Sequence, residues 1–125
     1  YAGCCTDDET KAEIRSTFEN YSYLLDTHTA VAAKVYEDYR KATGDTTKTV
    51  IASTANPYKF SGAVYEAIGG KVDTDDEFEI IDRLEKATST KMPAPLAATR
   101  TKSVRFTGSV EKQDMSKVVL DFLKS

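Results

Sequence analysis

Lys48-Thr49-Val50-Ile51-Ala52-Ser53-Thr54-Ala55-Asn56-Pro57 is the stretch on which the fold turns. Its first half is β-branched and bounded by polar residues, the composition of a strand. Its second half brings hydroxyls, an asparagine and a proline, and Pro57 suits the first turn of a helix. The sequence therefore predicts a strand over Val50, Ile51 and Ala52 that runs straight into a helix. A strand feeding a helix favours an α/β layer arrangement over a helical bundle.

Downstream, Phe60, Val64, Ala67 and Ile68 share one helical face, and Gly69-Gly70 stops that helix. Thr74 with Glu77 has capping-box spacing and opens a further helix bearing Phe78, Ile81 and Leu84. Pro93 and Pro95 mark a loop with a short helical turn after it, and Val104-Arg105-Phe106-Thr107 has the length of an edge strand. Met115, Val118, Val119, Phe122 and Leu123 follow helical spacing to the end of the chain. Upstream, Thr6 and Glu9 form a capping box for a helix from Asp7 to Asn20 along Ile14 and Phe18. Tyr1 to Cys5 before it has the character of a strand end. After Asp26-Thr27-His28-Thr29, a helix carries Val31, Val35 and Tyr39 up to Gly44. The expected fold class is α/β: a mostly helical piece of a three-layer sandwich, about five helices around a small sheet of two or three strands. The faces of Phe60, Val64 and Ile68 and of Val118 and Phe122 are expected to pack on that sheet.

The chain has 125 residues and a net charge of −3, which fits one domain and gives no basic stripe for a phosphate backbone. Nucleic acid is excluded as a partner on that ground. The apolar runs are too short to span a membrane. No internal boundary or repeat divides residues 1–125. A chain that begins at Tyr1 without a methionine, inside an ordered element, is expected to be a piece of something longer. Cys4 and Cys5 are adjacent, and neighbouring residues rarely close a disulfide. They are expected to be free, buried thiols in a cytoplasmic protein. With one histidine and no spaced cysteines, no metal site is expected. The acidic run Asp73 to Glu77 lacks the glycine and further oxygens of a calcium loop, and a solvated helix start accounts for it.

Two places carry chemistry. Ser53 and Thr54 stand at the carboxyl end of the expected strand, where open α/β sheets bind ligands. Their hydroxyls either meet a heteroaromatic nitrogen or satisfy the turn and cap the next helix. Asp26 and His28 set a carboxylate beside an imidazole before a helix. That pair is either part of an acid–base cluster or a helix cap, and the cap is the simpler reading.

Both places resemble segments of threonine synthases. Asp26-Thr27-His28-Thr29-Ala30-Val31 resembles the family's D-P-H-T-A-V, with Thr27 in place of the proline. Ser53-Thr54-Ala55-Asn56-Pro57-Tyr58-Lys59-Phe60 resembles its S-T-A-x-P-x-K-F. Met92-Pro93-Ala94-Pro95-Leu96 and the closing helix are similar to the family's tail. The resemblance implies the carboxyl-terminal portion of a pyridoxal-phosphate enzyme of the tryptophan-synthase-β fold type, which converts O-phosphohomoserine and water to threonine and phosphate. It implies that Thr54, with Ser53 as the alternative, contacts the pyridine nitrogen of the cofactor. His28 and Asp26 fall at the substrate or site edge. The family's Schiff-base lysine and phosphate-binding glycine loop have no counterpart here, so the resemblance implies no catalytic residue, no bound cofactor and no activity for this chain alone. Its small-molecule substrate would be reached through an upstream domain, and self-association is expected of exposed apolar surface. The alternative is a non-enzymatic binding or regulatory module that reuses the segment.

Overall fold

A computed structural model describes residues 1–124. Helix α1 spans Asp7–Tyr21 and begins with the expected capping box: Thr6 accepts from the Glu9 amide while the Glu9 side chain accepts from the Thr6 amide. Helix α2 spans Thr27–Thr43 and ends on Gly44, whose φ of 70° is the left-handed conformation glycine adopts without strain. A 3-10 turn over Pro57–Phe60 leads into the short α3, Ser61–Ala67, and α4 spans Glu77–Thr88. The single-turn α5, Ala94–Ala97, and a 3-10 turn over Ala98–Thr101 follow, and α6 covers Met115–Lys124.

Helix α1 packs on α2 and α3, and α3 packs on α4. The core between them is built from Ile14, Leu24, Leu25, Ala30, Tyr58, Val64, Ala67, Ile81 and Leu84. Ile14, Val64 and Leu84 are wholly buried, each removal from water stabilising the fold by about 1.5–3 kcal/mol. Polar contacts fix the order of the helices. Arg15 Nε donates to the carbonyl of Ala67 at 2.7 Å, and Lys11 pairs with Glu66 at 2.6 Å, both joining α1 to α3. The loop after α3 needs its glycines: Gly69 has φ 91°, and a Cβ on Gly70 would lie 2.5 Å from the Tyr65 ring.

The expected sheet is absent. Among the described residues no strand forms, so the architecture is helical and the α/β sandwich is incorrect. Val50, Ile51 and Ala52 lie in an irregular segment, with Val50 94% exposed. Tyr1–Cys5 and Val104–Thr107 are likewise outside any ladder. A β-branched run favours a strand only where a neighbouring segment supplies hydrogen bonds and covers a face. Here the residues around Val50 make no backbone ladder, and Ile51 beside it is only half-buried. The Val118 and Phe122 face of α6 does not pack inward either; every described residue from Thr101 onward is exposed.

Local details differ as well. The second capping box does not form: Asp76 caps α4, accepting from the amides of Phe78 and Glu79, and Thr74 instead accepts from the Asp76 amide. Glu77 is thereby free to accept from the hydroxyl of buried Ser61 at 2.8 Å, tying α4 to α3. Cys4 and Cys5 are free thiols, as expected, but not buried ones. Cys4 is exposed, and half-buried Cys5 shares a hydrogen bond with Thr10 Oγ1 at 3.2 Å.

Candidate functional site

The site grows from the first turn of α2. Asp26 is 1% exposed and caps that helix, its Oδ1 accepting from the amides of His28 at 2.9 Å and Thr29 at 3.2 Å. Buried Thr29 turns its hydroxyl back to Asp26 Oδ2. Asp26 thus caps the helix through its carboxylate and is itself held by the hydroxyl that Thr29, the third helical residue, donates to it. Burial pushes the Asp26 carboxyl up, but the Thr29 hydroxyl, the two amides and the charge of His28 together outweigh it and hold the group below the ordinary aspartate value. Asp26 is therefore an ionised acceptor at neutral pH.

The second segment meets the first here. Ser53 Oγ lies 3.1 Å from Thr29 Oγ1 and 3.4 Å from Asp26 Oδ2. Two of the expected site residues, Asp26 and Ser53, are brought together across 27 positions of chain. Four residues beyond Thr54, the chain is fixed again. Asn56 accepts from the Tyr58 amide at 3.0 Å, and the Tyr58 ring is buried with its hydroxyl 2.7 Å from Thr90 Oγ1. Thr54 lies between these two anchors, exposed, and its hydroxyl has no hydrogen-bond partner among the described residues.

His28 belongs to a different face. Its ring is largely exposed, stacks obliquely on Phe60 at 4.9 Å, and has Nδ1 3.6 Å from Asp26 Oδ1, too long for a hydrogen bond. With Thr27, Thr10, Asp7 and Lys11 it lines an open cleft of about 450 Å³ that includes none of Asp26, Thr29, Ser53 or Thr54. The pair is thus a cap beside an exposed imidazole, the simpler of the two sequence readings. No cluster of side chains suited to a metal ion occurs among the described residues. Thr29 joins this site without having been among the expected site residues. Its spacing from Asp26 was the available signal, while its contact with Ser53 leaves no trace in spacing.

With that geometry in place, the comparisons with known proteins are specific. A model of the family described as threonine synthase, C-terminal, matches residues 29–119, well over half the chain. The chain belongs to that family. It is 37% identical over 71 residues to a threonine synthase of Methylobacillus glycogenes, a match covering 57% of this chain and 14% of that protein. It is 40% identical over 67 residues to the human protein named threonine synthase-like 1, covering 54% of this chain and 9% of its relative. The mouse protein of the same name is 41% identical over 70 residues, 56% of this chain and 9% of its own length. The chain therefore corresponds to a small part of each of these relatives. No helix among the described residues is long and apolar enough to cross a membrane.

Proposed function

We propose that this chain is the carboxyl-terminal portion of a threonine synthase, a carbon–oxygen lyase that converts O-phosphohomoserine and water to threonine and phosphate with pyridoxal phosphate. Its membership of the family supports the enzyme, and the exposed, unpartnered hydroxyl of Thr54 between two anchored residues supports the role of this segment. The donor set fits one edge of the cofactor only. A neutral hydroxyl is suited to a pyridine nitrogen, since it donates without forcing full protonation of the ring. No lysine in this chain stands in the family's Schiff-base context and no glycine loop of phosphate-binding spacing is present, so the rest of the cofactor site lies in another part of the enzyme. The cofactor supplies the electron sink for the reaction. This chain contributes one oriented hydroxyl to it and has no turnover of its own.

A cytoplasmic setting is part of the same reading, supported by two free thiols. The competing reading is a binding or regulatory module. It draws on the relatives whose names carry "-like", which show the segment recurring in proteins not named simply as threonine synthases.

The test is Thr54→Val beside Thr54→Ser in the full-length protein that carries this segment. Valine keeps the shape and removes the hydroxyl. Losing one hydrogen bond of about 0.5–1.5 kcal/mol predicts a fall in turnover of roughly two- to tenfold, with an altered cofactor absorption spectrum. Serine should restore both. Because Thr54 is exposed and unpartnered, the melting temperature should scarcely move. Unchanged turnover and spectra in Thr54→Val would remove the hydroxyl from the cofactor site and favour the module.

A further inference from the structure

Three oxygens meet where the two site segments touch, and they share two protons. Asp26 is ionised and can only accept. Each hydroxyl has one hydrogen. Thr29 Oγ1 is the nearer of the two hydroxyls to Asp26 Oδ2, so its hydrogen goes to the carboxylate. The Thr29–Ser53 contact at 3.1 Å then has Ser53 as its donor, with longer branches to Asp26 Oδ2 at 3.4 Å and to the Ala55 carbonyl at 3.5 Å, the longest of the three. The hydrogen of Ser53 is thus directed into the protein, although Ser53 as a residue is exposed. While anchored in this way, Ser53 has no hydrogen to donate to a ring nitrogen. Thr54, its neighbour, has.

We propose that Thr29 is a positioning residue: held by Asp26, its hydroxyl fixes Ser53, and the chain Asp26–Thr29–Ser53 sets where Thr54 presents its hydroxyl to the cofactor. This rests on the reading of Thr54 given above. It divides the two hydroxyls at positions 53 and 54 into an anchor and a contact. The segment before Ser53 gives little other support. Val50 is 94% exposed and Ile51 only half-buried, and the preceding anchors of the loop lie at Asp45, which binds Tyr39 and Thr47, and at the Thr47 carbonyl, which accepts from the Tyr36 hydroxyl at 3.4 Å. Without the Ser53 hydrogen bond, Thr54 would be tethered only from the Asn56–Tyr58 side.

Loop order, measured without cofactor, tests the anchor separately from the contact. Backbone ¹⁵N relaxation of this chain should show Ser53, Thr54 and Ala55 as ordered as the helix ends beside them. Thr29→Val removes the bridging hydroxyl and should drop the heteronuclear NOE of those three residues to the level of a mobile loop. Ser53→Ala should do the same while leaving α2 and the melting temperature nearly unchanged, because it removes only an exposed residue's hydroxyl. Thr29→Ser keeps the bridging oxygen and should restore the order. If Thr29→Val does not fold, Ser53→Ala still decides. Unchanged order at residues 53–55 in Ser53→Ala overturns the proposal, as does a loss of order in Thr29→Val that Thr29→Ser fails to restore. Thr54→Val should leave the loop ordered, so failure of the cofactor contact and failure of the anchor give different results.

Discussion

Asp45 shows how much one residue can do just beyond a helix. It follows Gly44 at the end of α2 and gathers three donors: the Tyr39 hydroxyl at 2.7 Å, the Thr47 hydroxyl at 2.7 Å and the Thr47 amide at 2.8 Å. The Thr47 hydroxyl, then Tyr39, then the Thr47 amide lower its pKa from 3.8 to about 2. The same hydrogen bond to the carboxylate raises the Tyr39 phenol. A carboxyl whose pKa is lower in the folded than in the unfolded chain stabilises the fold above the unfolded value, and that contribution disappears as pH falls through the folded one. Asp45→Asn should therefore melt at a lower temperature than the parent at neutral pH. The gap should narrow between about pH 4 and pH 2, where the parent loses its charge. Thermal melts of the two proteins across that range check it; a gap independent of pH would show that the charge of Asp45 contributes nothing. The composition around Asp45 marks a turn but not this latch, because Tyr39 reaches it from a full turn inside the helix.

Two helices offer a controlled comparison of caps. Asp26 and Asp76 accept the same pair of amides, at 2.9 and 3.2 Å in α2 and at 2.9 and 3.3 Å in α4. Asp76 is exposed, so Asp76→Ala should cost about 1 kcal/mol, the ordinary loss of a cap. Asp26 is buried and also receives the hydroxyls of Thr29 and Ser53. Asp26→Ala leaves a buried hydroxyl without its acceptor, which adds roughly 1–3 kcal/mol to the loss of the cap. Urea denaturation of the two variants should rank Asp26→Ala well below Asp76→Ala; equal losses would mean that the hydroxyl network adds no stability. The same two caps show what the sequence discloses at this scale. Thr6 with Glu9 was legible because all its partners lie within four residues. Thr74 with Glu77 misled because Asp76, two positions on, is an equally good cap. The choice between them is made by burial of Ile80, Ile81 and Leu84 against the core, together with the Ser61–Glu77 hydrogen bond from α3. Helix existence is written locally, whereas helix phase is decided by what the helix docks on.

At the scale of the whole molecule, the same distinction separates what the sequence revealed from what it did not. Ile14, Val64, Ala67, Ile81 and Leu84 could be picked out as core from periodicity, and they form it. The strand over Val50, Ile51 and Ala52 could not be secured in that way, since a ladder needs a partner and none is present among the described residues. The last helix shows the limit most clearly. Its apolar residues have clean helical spacing and α6 forms, yet Val118, Val119, Leu120 and Leu123 are between 46% and 74% exposed. Amphipathic spacing specifies a face to be covered but not the surface that covers it. The core cluster is drawn from α1 to α4 and the turns around Leu24 and Tyr58 without α6, and Arg100, just before the stretch 103–125, ties to Asp82 and Phe78. Deleting residues 103–125 should consequently leave the melting temperature nearly unchanged, since every described residue in that stretch is exposed. The deletion keeps Arg100 and its contacts, so a companion Arg100→Ala in the intact chain measures that tie separately. A large fall in melting temperature on deletion, with little effect of Arg100→Ala, would show that α6 lays its apolar face on the core and that the exposed tail is not the state in solution.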